Sequence, residues 1–388
     1  MIDLCDDVRF EAFIPGLNKF ILDVSQLDVD MLGEADYNDN YEWVDFTAKA
    51  INFTIDRGAD LYNNNGFARA DASTLTVRSL EQDYDPQDRD AVFPGMPVRV
   101  TVDVDGSWER LYTGKMQSIN TEYTAEGKPI TTLIAQDDVE RLSNFSVWRG
   151  DAETVVERLT AVAAETGTTI NVSGTSDIQL APKETPAPAW DVIELAITSE
   201  GGFIFPTANG ELNAWMRGYR DNTTVINFSD TCDDTNDKWH SYSAINVEKS
   251  AERVVNIVKI INIATAGLDG QDKEVTLELW KNQGSVDVYG PKEVELRTNM
   301  VELSDAGELA QFVLTAFSTP ETGVQSLEFR PTSTEFTTLD VGDNVTVEFS
   351  NVLDSDFMVS SVSHDVDADG WRTTVGLFKR NDVAKTWL

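Results

Sequence analysis

The 388-residue sequence predicts a mainly β fold of the α+β multidomain class. Runs in which apolar and polar residues alternate, as in strands with one buried face, fill the first part of the chain and return in its last third. Between these regions, apolar residues recur at the spacing of a helix. Short strands that follow one another about every 8 to 12 residues are typical of barrels and sandwiches. Each end of the chain is therefore predicted to form a β unit of that kind.

The first β unit is predicted from six strand-like segments. The most regular of them is 98–104, and Asp105-Gly106 predicts the hairpin turn after it. Gly114 is predicted to break the return strand, and Arg57-Gly58 to turn the chain after the first segment. The segments are 51–55, 73–79, 98–104, 108–112, 119–123 and 130–137, followed by a short helix at 139–142.

The middle of the chain predicts a small α+β unit. A helical stripe begins after Asp151, which can cap it, and ends at Gly167. A second helix, 189–199, stops at Gly201-Gly202, and a hairpin is predicted about Asn209-Gly210. Later elements are predicted as strands at 254–261, 275–280 and 324–330, a link with turns at 283–289, and a helix capped by Ser304 or Asp305.

The last forty or so residues predict an antiparallel meander. Residues 345–349 and 371–377 alternate regularly, whereas 357–364 changes phase, which predicts a β-bulge at Ser360 or Ser361. A meander of this size needs a partner sheet, or closure on itself, to bury its apolar side. The rest of the chain should supply that partner.

The charge of the chain is extreme. It has 67 Asp and Glu residues against 30 Lys and Arg, a net charge of −37. Nucleic acid backbones are bound by clustered cations, so tight binding to them is disfavoured. Two interpretations of the acidity stay open: a solvated surface tuned to a salty medium, or a surface that must not adhere to a polyanion.

Few residues are suited to catalysis or metal binding. His240 and His364 are the two histidines, and neither lies in a catalytic or zinc motif, so both are interpreted as surface or strand residues. Residues 365–370 read DVDADG, like the start of an EF-hand loop, but position 12 falls on Gly376 instead of glutamate. A hairpin turn is predicted there instead of a calcium site. No catalytic, cofactor-binding or metal-binding residue is assigned, and the protein is not predicted to be an enzyme.

Export and membrane insertion are also disfavoured. The start, MIDLCDD, is acidic where a secretory signal would be basic, and no apolar run is long enough to span a membrane. Cys5 and Cys232 form no CxxC pair and are interpreted as reduced thiols. Synthesis in the cytoplasm without a signal peptide is therefore expected.

The order and spacing of several motifs resemble the tail-tip hub, a minor tail protein of long-tailed, non-contractile bacteriophages that is related to the contractile baseplate hub. The resemblance covers roughly residues 41–380. Its motifs are WVDFTAKAINFTIDRG, LTVRS with DYDP, FPGMPVRVTV with LYTGKMQSI, ITTLIAQDDVERL, WDVIELAITSEGGFIFPTANGELNAWMR, SAERVVNIVKI, GSVDVYG, LDVGDNVTV and SSVSHDVDADGWRTTVGLF.

The resemblance implies two tube-like antiparallel β-barrel domains with peripheral small α+β subdomains. The implied division is a first barrel (41–150), an α+β subdomain (151–222), a second barrel (223–262 with 323–388) and a peripheral insertion with one helix (263–322). Residues 1–40 lie outside the resemblance, and their own sequence predicts an N-terminal arm, or a first strand followed by a loop.

The resemblance also implies a structural virion protein at the tail tip. Three copies would form a homotrimeric ring that joins the distal tail or tail tube protein to the central fibre or spike, anchors the tape-measure protein and forms part of the DNA ejection conduit. Because a cationic channel would hold DNA, the inward strand faces of the ring are predicted to be net acidic. The alternative is an acidic, β-rich receptor- or carbohydrate-binding protein of a tail or cell surface.

Overall fold

The computed structural model describes residues 8–15, 41–47, 50–58, 72–80, 93–104, 106–125, 129–217, 219, 224–230, 239–265, 272–320, 322–331, 339–350, 353–367 and 370–378. Within these ranges the chain is mainly β, as predicted, and contains five α-helices. None of the helices in the described ranges is long and apolar enough to cross a membrane. Cys5, Cys232 and most of the predicted arm lie outside the described residues.

The first seven strands form an antiparallel run that begins the main sheet. They are β1 (Val8–Pro15), β2 (Tyr41–Asp45), β3 (Ala50–Gly58), β4 (Thr74–Ser79), β5 (Pro97–Val104), β6 (Ser107–Tyr123) and β7 (Pro129–Gln136). Their spatial order is β3, β4, β7, β6, β5, β1, β2. The prediction that Gly114 breaks the return strand is wrong, since β6 runs through it. A Cβ at Gly114 would overlap the Tyr112 hydroxyl oxygen and lie 2.5 Å from Gln136 O, so the glycine permits close packing.

An α+β unit follows. Its elements are α1 (Asp138–Asn144), β8 (Ser146–Arg149), β9 (Glu153–Thr154), α2 (Val155–Thr166), β10 (Ile170–Ser173), β11 (Gln179–Leu180), β12 (Lys183–Pro188), α3 (Ala189–Glu200), β13 (Phe203–Pro206) and β14 (Leu212–Trp215). β13 and β14 form the predicted hairpin, and β10 joins β14. Thr154, and not Asp151, caps α2, because it forms a capping box with Glu157. α2 and α3 end, as predicted, at Gly167 and Gly201, both in the left-handed conformation.

The remaining elements complete the main sheet and add a peripheral one. The strands are β15 (Thr224–Ser229), β16 (Trp239–His240), β17 (Ala244–Lys249), β18 (Ile257–Thr265), β19 (Asp272–Lys281), β20 (Glu293–Thr298), β21 (Thr322–Phe329), β22 (Asn344–Phe349), β23 (Leu353–Asp367) and β24 (Gly370–Phe378). The helices are α4 (Gln283–Tyr289) and α5 (Leu303–Phe317), and a 3-10 turn, Ala251–Arg253, precedes β18. β18, β19 and β20 form the peripheral sheet, against which α5 packs.

The long strand β23 joins the two ends of the chain. β22 and then β3 pair along one of its edges, and β24 pairs along the other. The register shifts between Val359 and Ser361, which confirms the predicted bulge. The main sheet departs from the antiparallel prediction at one place, because β15 pairs in parallel with both β16 and β22.

Two separate apolar cores lie behind this one sheet. The first contains Phe10, Ile55 and Val100, and the second contains the interior of β15, β21, β22 and β24 together with the α+β unit. β23 contributes to both, since Val362 belongs to the second core and Val366 to the first. The mainly β, multidomain prediction is therefore confirmed, with the addition that its two β units share one hydrogen-bonded sheet.

Two elements lie elsewhere than the sequence predicted, and a third segment has a different secondary structure. β1 belongs to the first β unit and not to a separate arm, because Val8, Phe10 and Ala12 are buried in the first core. β18 belongs to the peripheral sheet and not to the second barrel. The described part of the peripheral insertion has two helices instead of one, since 283–289 folds as α4 after the Asn282 cap. The domain boundaries as a whole stay predictions.

The predicted cap of α5 is also wrong. Neither Ser304 nor Asp305 precedes the helix, which begins at Leu303 after Glu302, and Glu302 makes no side-chain cap bond. The packing of α5 against β18 and β19 therefore stabilises the helix in place of a side-chain cap.

Candidate functional site

Both histidines lie in strands, as predicted, but neither is at the surface. The His240 ring packs edge-on against Phe329, with centroids 5.6 Å apart, and burial lowers its pKa. His364 is fully buried, and its Nδ1 lies 3.3 Å from the Trp371 indole nitrogen and 3.0 Å from the Thr373 hydroxyl oxygen. Burial, and then the charge of Arg57, lower the pKa of His364 to about 3. Both rings are packing groups, out of reach of a substrate in solution.

The acidic run at the end of β23 is the predicted hairpin. Asp367 pairs with Gly370 across the turn, and Asp365 pairs with Arg372. The Arg372 guanidinium lies 2.8 Å from the Asp365 carboxylate and 3.7 Å from that of Asp367. In the part of the chain that the structure describes, no group of three or more His, Cys, Asp or Glu could hold a metal ion. The two carboxylates are thus engaged by a cation of the chain itself.

One polar surface crosses both β units and is the candidate functional site. We call it the polar face, and it consists of three rows of outward side chains in register across neighbouring strands. The first row is Ala244, Glu328, Thr374, Ser363, Asp56, Thr74 and Gln136, one from each of β17, β21, β24, β23, β3, β4 and β7. The second is Arg372, Asp365, Thr54, Thr76, Ile134 and Ser118, and the third is Asn52, Arg78, Thr132 and Asn120. At about 4.8 Å between strands, the first row extends about 29 Å.

Hydroxyl and amide groups make up most of the polar face. Its charged members are three carboxylates and two arginines: Asp56, Asp365 and Glu328 against Arg78 and Arg372. Several of these charges are already engaged within the face. Ser363 donates to Asp56 at 2.6 Å, and Arg372 pairs with Asp365. The surface is therefore close to neutral, with a small acidic excess.

A buried ion pair holds the two β units together behind the polar face. Arg57, at the end of β3, is 4% exposed and pairs with Asp340, which lies in the turn before β22. The other Asp340 oxygen accepts the backbone N–H of Ala208, in the turn between β13 and β14, at 3.1 Å. One carboxylate thus joins both β units and the α+β hairpin. We call this contact the junction.

A glycine allows the junction turn to approach the hairpin closely. Gly342 has a φ of +94°, and a Cβ there would lie 2.6 Å from the Phe205 ring and 3.0 Å from the Trp215 ring. Phe205 and Trp215 meet edge to face at 5.1 Å between centroids. The aromatic pair and the Asp340 bond therefore fix the same turn from two sides.

A second carboxylate, Asp137, ties α1 to the first β unit. One of its oxygens accepts the Val139 N–H at 3.0 Å as a helix cap, and the other accepts the Ser73 N–H at 2.9 Å. Burial raises the pKa of Asp137 to about 6, and the hydrogen bonds from Ser73 and Val139 oppose that rise. The carboxyl group consequently titrates inside the folded protein near neutral pH.

This raised pKa predicts a pH dependence of stability. Between about pH 4 and pH 6 the folded chain keeps a proton on Asp137 that the unfolded chain loses, so the stabilisation by this proton declines as the pH rises. Asparagine at position 137 cannot ionise. We expect the free energy of unfolding of wild type to fall by on the order of 2 kcal/mol across this pH range, and that of Asp137→Asn to lack this fall. Urea unfolding of both proteins at several pH values measures it. Parallel profiles would contradict the assignment.

The fold matches solved structures of phage tail proteins. The 43 kDa tail protein of prophage MuSo2 from Shewanella oneidensis superposes with a TM-score of 0.61 at 12% identity, covering 96% of this chain and 98% of that one. A tail protein from Neisseria meningitidis MC58 gives 0.60 at 14% identity, covering 88% and 94%. Prophage tail protein gp18 from Listeria monocytogenes EGD-e gives 0.51 at 10% identity, covering 98% and 97%.

No protein-family model and no curated protein matches the sequence. The superpositions extend over nearly the whole length of the matched chains. At 10 to 14% sequence identity, they establish a shared fold alone. They agree with the phage-tail resemblance that the sequence motifs carry. The chain has the fold of these tail proteins.

Proposed function

We propose that this chain is a structural protein of a phage tail and that three copies form a ring at the tail tip. The proposal has two supports: the fold shared with prophage tail proteins, and the polar face that crosses both β units. In the proposed ring, each copy contributes two β units to the wall, and the polar face lines the channel.

The observation that carries this proposal is the register across β23 and β3. These strands place Ser363 beside Asp56, and Asp365 beside Thr54, so the side chains of the two β units form one surface. Both apolar cores lie on the opposite side of β23, where Val362 and Val366 are buried. A wall with a polar front and a double apolar back suits a water-filled channel, because every strand keeps its apolar side dry.

The charges of the polar face suit the passage of DNA without binding. Duplex DNA carries one charge about every 1.7 Å of axis, and clustered cations hold it by releasing counterions. The two arginines of the polar face are outnumbered by its three carboxylates, and Arg372 is paired with Asp365. DNA would therefore meet no cationic cluster along the described rows. The proposed partners follow from the ring: the distal tail or tube protein on one side, the central fibre or spike on the other, and the tape-measure protein inside.

An image of the assembled tail tests this function. Electron cryomicroscopy of tails that contain the chain should place three copies around an open channel at the tip, with Thr54, Thr76 and Thr132 facing the channel. Density for this chain elsewhere in the particle, or a channel lined mainly by Lys and Arg, would contradict the proposal. A chain found on the outside of the tail, in contact with host glycans, would instead favour the receptor- or carbohydrate-binding alternative.

Ring formation should depend on salt. Three copies carry a formal charge of −111, three times the −37 of one chain, so they repel one another strongly at low ionic strength. Raising the salt from about 0.05 M to about 0.5 M shortens the Debye length from roughly 14 Å to roughly 4 Å and should increase the trimer fraction. Sedimentation of the purified chain measures that fraction. More trimer at low salt than at high salt would argue against the repulsion.

A further inference from the structure

The outward side of β2, β1, β5 and β6 differs in kind from the polar face. Here arginines and aromatic rings lie interleaved on neighbouring strands, because the register pairs Phe13 with Trp43, and Glu11 with both Asp45 and Arg99. We call this surface the arginine–tryptophan face. Its members are Arg9, Phe13, Trp43, Arg99, Trp108 and Arg110.

The contacts within this face hold its side chains in place before any partner arrives. The Arg9 guanidinium lies 3.7 Å from the centroid of the Trp108 ring, and the Arg99 guanidinium lies 4.1 Å from that of Trp43. Phe13 packs on Trp43 with 5.1 Å between ring centroids. Side chains ordered in this way lose little conformational freedom when they bind.

Carboxylates balance some of these arginines. Arg99 donates to both oxygens of Glu11, at 2.8 and 3.1 Å, and Arg9 lies 3.7 Å from Asp45. With Asp103 at the turn end of β5, the face is locally close to neutral, whereas the chain as a whole carries −37. Two copies of this chain can therefore approach here against less repulsion than the average surface offers.

Arg110 gives the face its preference for an acidic partner. Its guanidinium donates to the neutral hydroxyl of Thr113 at 2.9 Å. Burial, and then the nearby charge of Arg99, lower the pKa of Arg110, while the charge of Glu11 opposes that change. A carboxylate from another molecule would offset this repulsion between cations. Arg and Trp are also the residues that contribute most often to the strongest contacts of protein interfaces.

We propose that the arginine–tryptophan face docks onto carboxylates of a second copy of this chain. The second copy fits because its own surface is strongly acidic and because the face is a locally neutral region where like-charged copies can meet. An unrelated acidic partner would meet the same three arginines, so the experiment must measure self-association directly. This inference rests on the proposed function at one point, because it takes the second copy to be the neighbouring copy in the proposed ring.

The test is sedimentation equilibrium of the full chain at about 0.5 M salt, where long-range repulsion is screened. The variant is Arg9→Glu with Arg110→Glu. Its matched control is Lys249→Glu with Arg297→Glu, which changes the net charge equally outside both the arginine–tryptophan face and the polar face. The side chains of Arg9 and Arg297 are 45% and 57% exposed, Lys249 is exposed, and Arg110 is half-buried.

We expect the face variant to weaken self-association about tenfold or more and the control to change it by less than about threefold. Equal weakening of both, or none in the face variant, would overturn the proposal. A wild-type chain that stays monomeric at every concentration would also overturn the docking proposal. The proposed function would not fall with it, because that is tested separately by the position of the chain in the tail. If the double variant does not fold, as judged by circular dichroism, Arg9→Glu alone serves, because the Arg9 side chain is 45% exposed.

Discussion

Replacing Gly58 with alanine is expected to lower the free energy of unfolding by about 3 kcal/mol or more. Gly58 has a φ of +99°, where a side chain is strained. Its Cβ would also overlap the carbonyl oxygen of Ser360, and it would lie 2.8 Å from Ser361 Cα and 2.9 Å from a Val341 methyl group. The first two contacts are with backbone atoms of β23, so β3 and β23 would have to separate where the two β units meet. Urea unfolding measures the loss.

Gly95 provides the matched control for this prediction. Its φ of +94° is almost the same, but a Cβ there would meet no atom within 4 Å. Gly95→Ala should therefore report the backbone strain alone, about 1 to 2 kcal/mol. The difference between the two variants is the contribution of the close strand approach. If both variants lose the same free energy, the contact between Gly58 and β23 does not matter for stability.

The history of Gly58 shows what local sequence could and could not predict. The alternation of Phe53 and Ile55 correctly predicts a strand, and the glycine after Arg57 by itself predicts a turn. In the structure Gly58 lies opposite Ser361, beside the bulge that the changed phase of β23 predicted. The glycine and the bulge can each be predicted from local sequence, but the pairing of Gly58 with Ser361 cannot. The two residues lie some 300 positions apart, and no local pattern indicates such a contact.

The polar face could not be predicted from the sequence for the same reason. Within each strand, the alternation of buried and less buried residues places Thr54, Thr76 and Thr132 on the outward side. Only the register between strands, which depends on long-range contacts, reveals that they lie in one surface that continues onto β23. The cap of α2 was predicted wrongly for a more local reason. Several side chains near Asp151 can cap a helix, and Thr154 does so here because it completes a capping box.

The junction did leave a signal in the sequence. Arg57 continues the phase of Phe53 and Ile55, so the alternation already placed a charged residue on the apolar side of β3. A charge in that position requires a buried partner. The partner, Asp340, lies in the LDVGD segment. The sequence of this segment predicts a turn, but it does not indicate an ion pair. An arginine in phase with a buried strand face is therefore a better guide to such a junction than any motif.

We expect Asp340→Ala to destabilise the protein by about 3 to 5 kcal/mol, because it leaves the Arg57 charge buried without its carboxylate. The side chain of Arg57 is 2% exposed, and its Nε has no hydrogen-bond partner among the described residues. The same change removes the acceptors of the Ala208 and Val341 N–H groups. The exposed pair of Arg372 and Asp365 supplies the control: Asp365→Ala should cost at most about 1 kcal/mol.

A second substitution separates the buried charge from the lost hydrogen bonds. Arg57→Met in the Asp340→Ala background removes the unpaired charge and keeps an apolar side chain of similar length, so it should restore part of the lost stability. The free energy that remains missing then belongs to the Ala208 and Val341 bonds, which join the hairpin to the turn. If Arg57→Met lowers the stability further, the guanidinium has another role in the folded chain, and the ion pair does not account for the coupling of the two β units.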